Sequence, residues 1–302
     1  MSRVFFSLSA WPLAVLHPLG SLLGWLAYLL SPSYRRRLSA HARQAGLGWR
    51  QRCVAVGQAG QMVAELPRLW GRPRDEPLGS RVQWRQPEVV DQALREGRGL
   101  LVLTPHVGCF EIVAQAYAER FGASVPITVL YRPARQPWLA DVQTYARNRP
   151  GMQASPATLA GVRQMLRALK RGETVGLLPD QVPADGLGTW APFFGRPAYT
   201  MTMAARLVAQ TGAAVVLLRG ERLGWLQRRR LGADYIVHAR RVDAATEAVL
   251  AGPDGAQSAA AVNRLMETLI MECPTQYLWG YNRYKQPRAE ILSSPPKTPD
   301  TP

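Results

Sequence analysis

The chain has 302 residues, a formal net charge of +16, and 37 Lys and Arg against 21 Asp and Glu. That length can bury a core as one large domain or two small ones. The basic surplus calls for anionic partners: nucleic acid, an acidic membrane surface, an acidic carrier protein or a phosphorylated substrate. Three cysteines without a CxxC pair (Cys53, Cys109, Cys273) argue against a disulfide scaffold or structural zinc site and fit a reducing compartment.

No Lys, Arg, Asp or Glu lies between Arg3 and Arg35, and residues 11–30 are predominantly apolar. About 20 such residues can cross a bilayer. Pro12, Pro18, Gly20 and Gly24 interrupt the stretch, so a tilted or interfacial helix is the other outcome. Trp11, Trp25 and Tyr28 sit near its ends, and Arg35, Arg36, Arg37 and Arg43 follow. That arrangement predicts a membrane anchor over residues 1–33 whose basic flank stays cytoplasmic. A cleavable signal peptide is the rival, opposed by the lack of a small-x-small site directly before the basic run.

Residues 34–72 read as helical and basic, with a break at 72–79. A short strand at 82–84 and a helix at 88–96 come next. Strands and helices then alternate: strand 100–104, helix 110–121, strand 127–131, helices 138–147 and 158–170, strand 175–179, helix 201–210 and strand 213–219. A further strand at 234–239 and a helix at 256–272 complete the series, and the segment from Pro295 is proline-rich. The pattern predicts an α/β domain over residues 34–290, with a mostly parallel or mixed sheet flanked by helices, and a disordered tail over 291–302.

Chemistry-bearing residues gather where strands end. Gly99-Leu-Leu-Val-Leu-Thr-Pro-His106 delivers a histidine from an apolar run, and Glu111 follows in the first turn of the next helix. A carboxylate accepting from one ring nitrogen would leave the other as a base. Equally, His106 could be a plain loop histidine and Glu111 a helix-dipole partner. Cys109 between them is a thiol alternative, or a small buried hydrophobe.

Gly176-Leu-Leu-Pro-Asp180-Gln181 ends a second strand in an acid, which would share a rim with His106 or simply cap a turn. Arg132 ends a third strand, and with Arg147 and Arg149 it could hold phosphate. Residues 190–200 form an aromatic, proline-braced loop whose Phe193 and Phe194 could line an alkyl groove or join the core. Residues 274–285 interleave aromatic and basic side chains, Arg283 among them, as a headgroup, glycan or single-strand surface would.

Five of these segments, in this order, resemble the late acyltransferases of lipid A biosynthesis, the lauroyl/myristoyl group within the lysophospholipid acyltransferase superfamily. They are His106 with Glu111 after four intervening residues, Tyr131-Arg132-Pro133, Leu-Pro-Asp180-Gln181, Pro192-Phe-Phe-Gly195 with Pro197, and Gln276-Tyr-Leu-Trp279 through Lys285. The resemblance covers nearly the whole chain.

It implies an O-acyltransferase at the inner membrane, with its catalytic domain on the cytoplasmic face. An acyl chain would pass from an acyl carrier protein thioester to a hydroxyl of a lipid A precursor, with neither metal nor other cofactor. His106, Glu111 and Asp180 would be catalytic: His106 as general base, Glu111 orienting it, Asp180 as a second acid. Arg132, Arg147, Arg149, Gln181, Phe193, Phe194 and Arg283 would contact substrate. Backbone amides around Gly108, or an arginine, would hold the oxyanion.

Rivals are a glycerolipid acyltransferase of the same superfamily, a hydrolase or thioesterase, and a non-catalytic membrane-tethered binder of anionic lipid. Nucleic acid is not an expected partner, for basicity alone is no motif.

Overall fold

The computed structural model describes residues 2–131, 134 and 136–287, without side-chain detail for 2–4. The 291–302 tail and Arg132 therefore lie outside the described residues. Five helices come first: α1 (Ser2–Ser9), α2 (Leu13–Leu30), α3 (Pro32–Gln44), α4 (Trp49–Ala64) and α5 (Leu66–Trp70). The remainder runs β1 (Val82–Arg85), α6 (Glu88–Arg95), β2 (Leu100–Leu103), α7 (Phe110–Phe121), β3 (Ile127–Tyr131), α8 (Pro137–Arg147), β4 (Met152–Pro156), α9 (Leu159–Lys170) and β5 (Thr174–Leu177). Then come β6 (Gly188–Phe193), β7 (Arg196–Met201), α10 (Met203–Thr211), β8 (Ala214–Arg222), α11 (Trp225–Leu231), β9 (Tyr235–Arg241), α12 (Ala244–Ala251) and α13 (Gly255–Glu272).

Seven strands form one sheet in the order β1-β9-β8-β2-β5-β3-β4. Only β8 and β9 pair antiparallel; the other five pairings are parallel. The expected α/β class with a largely parallel sheet is therefore observed. Strand β2 (Leu-Leu-Val-Leu) and the first five residues of β8 (Ala-Val-Val-Leu-Leu) are apolar because both faces are covered there. Leu101, Leu103, Val215 and Leu217 face one core with α9, α10 and α13. Leu100, Val102, Val216 and Leu218 face the other with α6 and α7.

One local reading is corrected and one strand is added. Residues 190–200 are a β-hairpin, β6–β7, closed by Phe194 and Gly195 at φ 46° and 74°, the left-handed turn that matches strand twist. Residues 152–156 form edge strand β4, unforeseen because Met-Gln-Ala-Ser-Pro has no β-branched or aromatic residue and ends in proline.

The N-terminal helices do not project from the domain. Helix α2 runs along α4 at glycine-to-glycine contact: a Cβ on Gly60 would collide with the Gly20 carbonyl. At its start, Phe5 of α1 meets the rings of Trp70 and Trp138 at 6.2 and 6.1 Å. Beyond its end, Leu38 of α3 enters the core, the His41 ring bonds the Trp279 carbonyl at 3.0 Å, and Gln44 donates to the Phe194 carbonyl at 2.8 Å. Both ends of α2 thus return to the same α/β domain. Its outward face is a stripe of exposed leucines, from Leu19 through Leu22, Leu23 and Leu26 to Leu29 and Leu30.

Candidate active site

Strands β2, β5 and β8 point their C-terminal ends to one rim, where ligands of open α/β sheets collect. The Thr104–Cys109 loop leaves β2 there. Its turn needs Gly108: φ is +60°, and a Cβ would run into the Gly220 carbonyl oxygen. The loop is pinned from both sides. Gly108 N–H donates to the Gln276 carbonyl, Cys109 N–H to the Gly220 carbonyl, and Leu278 N–H to the His106 carbonyl.

The rim chemistry is an Asp180–His106–Gln181 array. Asp180 accepts from the His106 backbone N–H at 3.0 Å and pairs with its Nδ1 at 2.7 Å. Nε2 lies 3.0 Å from the Gln181 amide nitrogen. With Nδ1–H donated to Asp180, Nε2 of the neutral ring carries the lone pair and accepts from Gln181. The Asp180 side chain is 2% exposed and that of His106 16%, so the carboxylate is enclosed while the ring keeps an open edge. Burial would raise the Asp180 carboxyl, but the adjacent His106 charge and its two hydrogen bonds hold it below its usual range.

The partner orienting the ring is thus Asp180, where Glu111 was expected. Glu111 sits in the first turn of α7 and forms an ion pair with Arg147; the Arg147 guanidinium lies over the Trp70 and Tyr131 rings, at 5.7 and 5.6 Å. The Phe110 ring, 4.7 Å from the His106 ring, packs beside the base. The amides of Val107, Gly108 and Cys109 are all spent on carbonyls, which removes them as oxyanion donors. Cys109 is 1% exposed, and burial, then the Glu65 charge, drives its thiol well above the usual range. It is a packed neighbour, unsuited to nucleophilic attack.

Two expected substrate contacts are corrected by burial. Arg149 is 7% exposed and gives its donors to the carbonyls of Ala146, Pro73, Leu69 and Arg72. Arg283 is 2% exposed and binds Tyr199 O, Thr200 Oγ1 and Asn263 Oδ1 beneath the hairpin. Phe193 is likewise core. Phe194 packs on Trp279 at 5.5 Å while its N–H donates to Glu267 at 2.7 Å. Both aromatics brace the hairpin, and Phe193 also lines a small recess with His41, Trp279 and Tyr284.

Sequence reasoning missed a second buried pair. Arg222, at the end of β8, donates through Nε to Glu65 at 2.9 Å and through Nη2 to the Gly108 carbonyl at 3.1 Å. Gln58, Tyr235 and His17 complete the cluster. One signal was available: Glu65 is the first acidic residue in the chain.

Residues 53–286 match the model of the bacterial lipid A biosynthesis acyltransferases. The chain belongs to that family. A lipid A biosynthesis palmitoleoyltransferase of Escherichia coli K12 is 28% identical over 290 residues, covering 91% of this chain and 86% of that protein. A lipid A biosynthesis lauroyltransferase of the same organism is 28% identical over 200 residues, covering 66% and 60%. As a member of this acyltransferase family, the protein is an enzyme of lipid A secondary acylation, and a lipid A precursor is its class of substrate.

Proposed function

We propose that His106 is the general base of acyl transfer from an acyl carrier protein thioester to a hydroxyl of the lipid A precursor. The observation carrying this reading is the Asp180–His106 pair, which fixes the tautomer and leaves Nε2 on the open edge. The acceptor hydroxyl displaces the Gln181 amide and gives its proton to Nε2 as its oxygen attacks the thioester carbon. Collapse of the tetrahedral adduct breaks the C–S bond, and the imidazolium returns the proton to the departing thiolate. Asp180 stabilises the imidazolium between those steps. The stoichiometry closes with donor and acceptor alone.

The oxyanion needs donors other than the loop amides. The Phe110 and Glu111 N–H groups, in the first turn of the 12-residue helix α7, have no intrahelical acceptor. They carry the positive end of its dipole beside the His106 ring.

Membrane attachment follows from α2. An 18-residue helix is about 27 Å long, so a transbilayer orientation would put its ends on opposite sides of the membrane. Both ends bind the same catalytic domain, so α2 lies in the interface with its leucine stripe in the acyl region. Arg35 and Arg36 lie among anionic headgroups of the inner membrane's cytoplasmic leaflet.

Purified His106→Ala protein, assayed with acyl carrier protein thioester and lipid acceptor, should lose about 10²–10⁴-fold in turnover at unchanged fold. Near-native transfer would sink the mechanism. Release of free fatty acid without acylated lipid would point instead to a thioesterase.

A further inference from the structure

A separate recess of about 290 Å³ lies between the α1–α2 turn and the loop from α5 to β1. It stands at the low end of the roughly 300–1,000 Å³ typical of small-ligand clefts. Leu13, Leu69, Leu78 and Ile112 supply apolar wall. Arg68, Arg72 and Arg81 supply positive charge, with Glu76 and Asp234 opposing them. Ile112 directly follows Glu111 on α7, so one helical turn serves both the recess and the reactive rim. The membrane-facing helix α2 begins at its edge.

Among the described residues Arg68, Arg72 and Arg81 form no ion pair, although the Glu119 and Glu76 charges act on Arg72. Arg68 donates to the Ser9 and Trp11 carbonyls, and Arg72 to the Glu76 carbonyl and the Gln115 amide oxygen. Arg72 Nε is buried with no hydrogen-bond partner. Among nearby acids, Asp234 is 3.9 Å from Arg228, and Glu119 spends its oxygens on the Leu78 and Gly79 amides. Behind the wall, Arg149 is held by carbonyls alone. Burial, then the Arg72 charge, lowers its guanidinium to about 10. Three guanidiniums against two carboxylates leave the recess net positive, a field that an anion relieves. Phosphate suits it best, because its oxygens accept forked N–H pairs.

We propose that this recess binds a phosphate group of the lipid acceptor through Arg68, Arg72 and Arg81. The phosphate chemistry stands on the recess, while its assignment to the acceptor rests on the acyltransferase reading above. Holding the headgroup here fixes the lipid laterally while its hydroxyl approaches His106, so the arginines govern acceptor affinity and leave the chemical step alone.

The test uses full-length Arg68→Gln/Arg81→Gln protein, which leaves intact the Arg72 bonds that hold the loop. With a phosphorylated acceptor, KM should rise about tenfold or more at unchanged kcat and donor KM. With the same lipid lacking its phosphate, wild type and variant should coincide. Inorganic phosphate should raise the Tm of the wild type and compete with the acceptor, and should do neither in the variant.

Equal losses on both acceptors, or an unchanged KM, would overturn the proposal. A phosphate-dependent Tm shift without any acceptor difference would mean a free-phosphate site and overturn the lipid assignment. The Tm arm is read without turnover. If no acyl transfer were found, a shift confined to the wild type would still support the phosphate site while the acyltransferase reading failed.

Discussion

The molecule buries two carboxylates at 1% exposure, Asp180 and Glu65, and gives each a cationic partner. Asp180 holds His106, an imidazole that can accept and return a proton and keeps an edge open to the rim. Glu65 holds Arg222, a permanent cation 1% exposed at its side chain, whose remaining donors clamp the Gly108 carbonyl and Gln58. The pairs look alike as burial and charge, yet only one can move a proton. A partner with an open face that can hand on a proton is what the proposed catalytic pair has and the enclosed Glu65 cluster lacks.

Substitution should divide them cleanly. Asp180→Asn keeps the volume but removes the charge that stabilises the imidazolium. Activity should fall about 10²–10⁴-fold while Tm changes little by comparison. Glu111→Gln should cost far less in rate, because Glu111 answers to Arg147. Steady-state kinetics beside thermal denaturation checks both, and equal effects would dissolve the distinction between the two acids.

Arg222→Ala is expected to do the reverse. Removing one partner leaves Glu65 charged and buried, at a cost of about 3–5 kcal/mol. That is a large fraction of a typical stability of about 5–15 kcal/mol. The double variant Glu65→Leu/Arg222→Met should recover much of the loss, since no uncompensated charge remains. Denaturant unfolding measures both; a double variant as unstable as the single would show that the Gly108 clamp, rather than the charge, matters.

Acid should stress both pairs with the same sign. Burial would raise the Glu65 carboxyl, but the Arg222 charge and hydrogen bonds hold it below its usual range, and Asp180 is lowered as well. A depressed carboxyl contributes its full stability above the unfolded value of about 4. That contribution is lost as pH falls through the depressed folded values. Stability should therefore decline below about pH 4, and less steeply in the Glu65→Leu/Arg222→Met protein. Parallel acid limbs for the two proteins would remove Glu65 from the account.

Much of this was legible beforehand, for reasons visible in particular residues. The alternation of apolar runs with helical periods gave the parallel sheet, and strand ends gave His106 and Asp180 as rim residues. Which acid the ring would choose was not legible. Position 111 is near His106 in sequence, but position 180 is nearer in space because β5 pairs beside β2 in register, Leu103 opposite Leu177. Arg149 and Arg283 differ from the expectation because a buried arginine whose donors go to neutral oxygens reads, in sequence, like one free to bind phosphate. The hairpin at 188–201 was hidden by its prolines, which sit opposite each other at Pro192 and Pro197. The clamp between Arg222 and Glu65 joins residues 157 positions apart, beyond the reach of any local pattern.

Cys109 offers the smallest and sharpest test. It sits between His106 and Glu111, the position that makes a thiol nucleophile an alternative. Its backbone N–H is committed to Gly220, and burial beside Glu65 disfavours the thiolate. Cys109→Ala removes one buried sulfur and should cost about 1 kcal/mol of stability, with transfer activity within a few-fold of wild type. Thiol alkylation should likewise leave the native enzyme active. Loss of turnover in Cys109→Ala protein of normal Tm would hand the chemistry to the thiol and reduce His106 to its activator. Retained turnover leaves a lone pair on Nε2 as the rim's base, with the lipid hydroxyl attacking the thioester directly.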